Sequence, residues 1–216
     1  MHNDSGEYEI SITEHVARHA KTLSRKDLKK KFLGDDYESD DEVELSEEEK
    51  ERCIKEKSDA SKAQGTENFK AGKYEEAITL YKQAGDYMAR LHSSGEAHDV
   101  KSARDEFQIS CFLNIAMCNL KLADKAKEEG AKAVLCNKAK DSATQAIELK
   151  PTVKAYFRRA TACSRTKDWD QGIADMKLAL EIDPEDKACQ QLMNNCAAWK
   201  KAAKDKEKAG YAKMFG

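Results

Sequence analysis

Proline is nearly missing from this chain: only Pro151 and Pro184 interrupt 216 residues. A chain so poor in helix breakers, and rich in Ala, Lys and Glu, favours helix along most of its length. No apolar run approaches the roughly 20 residues that a bilayer-crossing helix needs. The first residues, MHNDSGEYEI, lack the charged-then-apolar order of a signal peptide. Both absences point to a cytoplasmic protein without a membrane partner. Hydrophobic residues make up 40%, charged residues 36%, and mean hydropathy is -0.82, which is too polar for one deep globular core.

Metal and redox chemistry also lack their usual signals. The seven cysteines, Cys53, Cys111, Cys118, Cys136, Cys163, Cys189 and Cys196, contain no CxxC pair. They read as reduced, packed thiols, with Cys111 and Cys118 on one helix face near Leu113 and Met117. His15 and His19 are four apart but have no third ligand nearby. No nucleophile–base pair, phosphate loop or aromatic-interleaved basic motif is present. Catalysis, cofactor binding and nucleic-acid binding are therefore not expected.

Charge, by contrast, is abundant and unevenly placed. Residues 35–51, DDYESDDEVELSEEEKE, carry eleven acids against the single base Lys50, in a chain whose net charge is -2. The remainder is thus about eight charges positive. Residues 1–57 read as a mostly disordered acidic leader, a solubilising linker in the plain reading, with a possible short helix at 11–32 begun by Ser11 and Glu14. Within it, Ser39 and Ser46 precede acids as casein kinase 2 substrates do. The DDEV stretch is also loosely tail-like and could fold back on a basic groove.

From residue 58 the pattern becomes paired amphipathic helices with internal similarity. The first unit places Gly65, Gly72, Tyr74, Ala77, Tyr81 and Ala84 at spacings that the third unit repeats as Ala160, Trp169, Gly172, Met176 and Ala179. Small residues at Gly65 and Ala77 let two helices cross closely, Gly72 ends a helix, and the tyrosines fill the space between helices. The middle unit has Ala116 at the small position and Pro151 as its stop. Two expansions, around HSSGEAHDV and ADKAKEEGAKAVLCNK, are expected to lengthen helices and place a loop on one rim. Beyond Pro184, Leu192, Cys196, Trp199 and Ala203 form an apolar stripe on a lysine-rich helix suited to capping the stack. A basic amphipathic helix of this kind also matches calmodulin targets.

The stretch GTENFKAGKYEEAITLYKQA resembles the tetratricopeptide repeat. Together with LNIAMCNLKL, VKAYFRRA and the terminal YAKMF, it makes residues 58–216 similar to the C-terminal part of large immunophilins, the FK506-binding-protein and cyclophilin-40 co-chaperones. That resemblance implies an all-α fold: three helix-turn-helix repeats (58–92, 107–152, 153–187) in a short right-handed superhelix, then a capping helix at 188–216. It further implies a monomeric, non-catalytic adaptor. Its groove would hold the C-terminal Glu-Glu-Val-Asp of heat-shock protein 90, or of heat-shock protein 70, in a carboxylate clamp. The matching clamp positions are Lys62, Asn114, Lys154 and Arg158, with Thr66 where many clamps have Asn. Phe69 and Met117 match the apolar seats for the tail, although both equally fit a core. Residues 1–57 are too short for an isomerase domain, so the resemblance is to an isomerase-free relative. The alternatives are a scaffold for another acidic C-terminal peptide, or the repeat part of a larger prolyl isomerase.

Overall fold

The computed structural model describes residues 47–90 and 98–215. They form seven helices: α1 (Glu47–Lys70), α2 (Tyr74–Ala89), α3 (His98–Lys125), α4 (Glu129–Leu149), α5 (Val153–Arg165), α6 (Trp169–Ile182) and α7 (Lys187–Phe215). No strand occurs among the described residues. Three antiparallel pairs, α1/α2, α3/α4 and α5/α6, stack in chain order, and α7 lies on α6.

Turn chemistry explains where the helices stop. After α1 the chain turns at Gly72, whose φ of +77° is open to glycine at no steric cost. The Lys73 N–H then reaches back to the Asn68 carbonyl at 2.9 Å. After α5 the same closure recurs: the Asp168 N–H bonds the Cys163 carbonyl at 2.9 Å, and the left-handed position is held by Lys167 at φ 62°. Pro151 and Pro184 each stand just beyond a helix end. The Thr152 hydroxyl caps α5 by accepting from the Ala155 N–H, and the Asp186 carboxylate accepts from the Cys189 N–H in the first turn of α7.

Small residues set the distance between helices. A Cβ on Gly65 would come within 3.0 Å of the Tyr81 ring, so the crossing of α1 and α2 requires glycine there. Ala77, Ala84, Ala116, Ala160 and Ala179 are fully buried at the other contacts. Six cysteines are buried, unpaired thiols among these alanines. Cys118 packs toward α1 and α2, whereas Leu113 faces α4 and α5, so the two do not share a face.

Several boundaries depart from the sequence expectation. Helix begins at Glu47, about ten residues inside the stretch read as leader. α3 likewise starts at His98, ahead of the expected 107, so the expansions appear as helix length: α3 has 28 residues and α4 has 21, against 13 and 14 in α5 and α6. On α7, Cys189 and Cys196 are buried and Leu192, Met193 and Ala203 partly so, but Trp199 is 45% exposed. Trp199 thus stands at the open edge of the apolar stripe and is not enclosed by it. All side chains from Lys204 to Met214 are exposed. The expected helix at 11–32, the histidine pair and Ser39 and Ser46 lie outside the described residues.

Candidate functional site

Two arginines on α5 establish how the site is built. Arg158 donates from Nη1 to the carbonyl of Leu113, and Arg165 donates from Nη1 to the carbonyl of Leu120 at 2.8 Å. Donors and acceptors are each seven residues apart, so α3 and α5 run parallel, side by side. On the other flank of α3, Lys62 of α1 stands 4.4 Å above the Phe107 ring, and Phe69 packs with Ile115 and Cys118. Here too the contacts advance together, so α1 is parallel to α3. The first helices of the three pairs therefore form one wall. On α3, residues 113, 116 and 120 turn toward α4 and α5, while 115 and 118 turn toward α1 and α2. The stripe left over is Asn114, Met117 and Lys121.

Arg158 is the unusual member of this wall. It is only 7% exposed, and no carboxylate pairs with it among the described residues. Its neighbours on the same helix are matched. Arg159 grips Asp175 through two bonds of 2.9 and 2.7 Å, and Gln171 adds a third donor to that fully buried carboxylate at 2.8 Å. Arg165 pairs with Asp124 at 3.0 Å. Burial pulls the Arg158 guanidinium below its usual range, opposed by the nearby Cys118 and Tyr81. A desolvated cation that lacks a counter-charge favours any anion able to reach it.

Around it stand the other expected site residues. Lys154, one turn earlier on α5, is exposed and has no partner among the described residues. Asn114 is half-buried beside Leu113 and its amide makes no bond to described residues, leaving two donors and an acceptor available. Lys62 is half-buried, held over Phe107 and close enough to Cys111 to bias that thiol. Thr66 differs from expectation. Its hydroxyl proton goes to the Lys62 carbonyl at 3.0 Å, and its oxygen accepts from the Tyr81 hydroxyl at 3.1 Å. It therefore has no donor left for a ligand, because Tyr81, buried against Gly65, needs that partner. Phe69 sits at 5.4 Å from the Tyr74 ring, against Ala77 and Tyr81, in a core position. Met117 is half-buried on the open stripe.

Sequence reasoning missed Phe107, Tyr81 and the Leu113 carbonyl as parts of this assembly. Phe107 was findable, since it stands seven residues before Asn114 on one helix face. The Arg158–Leu113 contact had no sequence signal, because it depends on how two helices register. Wall and side chains together offer cations and an amide, with no metal-ligand cluster among the described residues. No helix among them is long and apolar enough to cross a membrane.

Comparison with known proteins bears on the fold. The tetratricopeptide repeat family matches residues 153–186. Bovine peptidyl-prolyl cis-trans isomerase FKBP4 is 34% identical over 74% of this chain, which spans 32% of that protein, about a third of its length. The C-terminal tetratricopeptide-repeat domain of an FK506-binding protein from Plasmodium falciparum matches with a TM-score of 0.59 at 22% identity, covering 75% of this chain and 97% of the other. The Hsp90 co-chaperone Cns1 of Saccharomyces cerevisiae matches with a TM-score of 0.56 at 20% identity, over 79% of this chain and 46% of that one. At such identities the two structures speak to fold alone.

Proposed function

The chain carries a tetratricopeptide-repeat domain, and from that premise we propose that it is a non-catalytic adaptor whose α1–α3–α5 wall holds the C-terminal carboxylate of an acidic peptide. One observation carries this proposal: Arg158 is a buried cation with no carboxylate partner among the described residues, while Arg159 and Arg165 beside it are both matched. Lys154, one turn away, and Lys62 would supply further charge, and Asn114 would donate to one oxygen while accepting a peptide N–H. A terminal aspartate, with two carboxylates on one residue, suits three cations and an amide. Four positions, rather than five, would make the clamp, since the Thr66 hydroxyl is already committed to Lys62 and Tyr81. The Glu-Glu-Val-Asp tail of heat-shock protein 90 is the partner we propose, because it ends in such an aspartate and carries further acids for a basic wall.

Calorimetric titration of the full chain with a Glu-Glu-Val-Asp peptide tests this directly. The free-acid peptide should bind and its C-terminal amide should not. Lys154→Ala should weaken the free acid at least about tenfold, since removing one member of a desolvated charge pair costs about 2–5 kcal/mol. Lys154 is exposed and contacts nothing that it must support, so its removal leaves the fold intact. Equal binding of acid and amide would refute the clamp. Free-acid binding of unrelated acidic tails at the same strength would instead favour a general scaffold.

A further inference from the structure

Lys62 meets an aromatic ring where comparable cations also meet oxygen. Lys125 lies over Tyr74 but reaches the Gly72 carbonyl as well, and Arg159 lies over Tyr156 but holds Asp175. The Lys62 ammonium stands 4.4 Å from the Phe107 ring centroid and has neither hydrogen bond nor carboxylate among the described residues. The acid beside the ring does not compete, since Glu106 is drawn to Lys150 at 3.4 Å. Helix register explains the meeting. Arg158 hooks Leu113, which sets Lys154 level with Ile109. Phe69 packs on Ile115 and Cys118, which sets Lys62 level with residues 108–111. The two lysines therefore flank α3 at one height, and the Phe107 ring lies under one of them.

We propose that Phe107 is a positioning residue of the carboxylate site: its ring holds the Lys62 ammonium in place before a tail arrives and stays under it in the complex. This rests on the carboxylate-holding function above. A free lysine spreads over many rotamers, and stopping that motion costs binding energy. The negative face of the ring restrains the ammonium without neutralising it. A carboxylate in the same place would restrain it too, but would compete with the tail for the charge. The ring takes one side of the ammonium, so N–H donors remain for a carboxylate oxygen on the other. Lys62 and Phe107 are both half-buried, and the loss of water strengthens the ring contact and the later ion pair alike. The ring thus acts on a tail only through Lys62.

A free-acid Glu-Glu-Val-Asp peptide and its C-terminal amide, titrated into the full chain, decide this. Wild-type, Phe107→Tyr and Phe107→Leu proteins are each taken with and without Lys62→Ala. Tyrosine keeps the ring, whereas leucine keeps apolar bulk alone. Phe107→Tyr should bind the free acid like the wild type, and Phe107→Leu about fivefold more weakly, the scale of one partly desolvated cation–π contact. Lys62→Ala should cost about tenfold in the wild-type and Phe107→Tyr backgrounds but only about twofold in Phe107→Leu. Because the cost is read within each background, a general loss of stability does not imitate this pattern. An equal cost in all three backgrounds, or tighter binding by Phe107→Leu, overturns the positioning role and leaves the carboxylate site standing. Equal binding of acid and amide by the wild-type chain overturns both together.

Discussion

Arg158 joins two roles that mutation can separate. It hooks the Leu113 carbonyl and so helps hold α5 to α3, and it presents a buried positive charge to the groove. Arg158→Ala should therefore lower the melting temperature as well as abolish tail binding, whereas Lys154→Ala should affect binding alone. Thermal unfolding of the two variants beside their titrations checks this split. A similar separation holds at the left-handed turn after α5. Lys167 occupies with φ 62° the place that Gly72 fills after α1. Lys167→Gly should stabilise modestly, by about 0.5–1 kcal/mol, because glycine carries no Cβ penalty there, partly offset by the entropy of the unfolded chain. A denaturant midpoint that falls in this variant would mean that the lysine side chain makes a compensating contact. The placement of Lys62, Asn114, Lys154 and Arg158 on the first helices of the three pairs was legible in the sequence, because these positions follow the repeat spacing. The role of Thr66 was not legible: its hydroxyl is diverted by Tyr81, fifteen residues away, and only the packing of α2 on α1 brings them together.

Single helices show where local patterns were sufficient and where they misled. The helix pairs follow from apolar periodicity and from Gly65, Gly72, Pro151 and Pro184, all of which act within a few residues. The start of α1 was obscured because eleven acids in 35–51 suggest disorder when counted by charge. The last of those acids instead lie within α1. Packing at the α1–α2 crossing also sets a clear expectation. Gly65→Ala gains helix propensity of about 1 kcal/mol. It also places a methyl 3.0 Å from the Tyr81 ring, and overpacking costs about 1–3 kcal/mol. The ring is enclosed and its hydroxyl is bonded to Thr66, so it has little room to yield, and net destabilisation is expected in urea unfolding. On α7 the expectation is reversed by exposure. Deleting residues 204–216 should change the melting temperature by no more than a few degrees, because the side chains from 204 to 214 are all exposed. Truncation from 187 should destabilise strongly, since Cys189 and Cys196 leave the core with it.

Across the whole molecule, thiols offer a measure of how tightly the stack is closed. Burial pushes Cys111 to about 11, Cys118 and Cys163 to about 12, and Cys189 to about 11, so almost no thiolate exists there at pH 8. Cys53 alone is not buried. One thiol should react quickly with a maleimide in the native protein and seven after denaturation, read by intact mass. Rapid labelling of more than one would show that the repeats open under native conditions. Overall architecture was the most legible level of all, since repeated small residues and stop signals specify a stack of helix pairs without any knowledge of its contacts. Groove geometry was less so, because it arises between elements far apart in sequence.

The paired hooks of Arg158 and Arg165 on Leu113 and Leu120 act as a vernier. Two teeth at equal spacing on parallel rods forbid a small slide of either rod, because both teeth would lose their notches at once. The register of α5 against α3 is therefore set before any tail arrives. Little rearrangement remains for binding to drive, so tails of different sequence should associate at similar rates and differ chiefly in how long they stay.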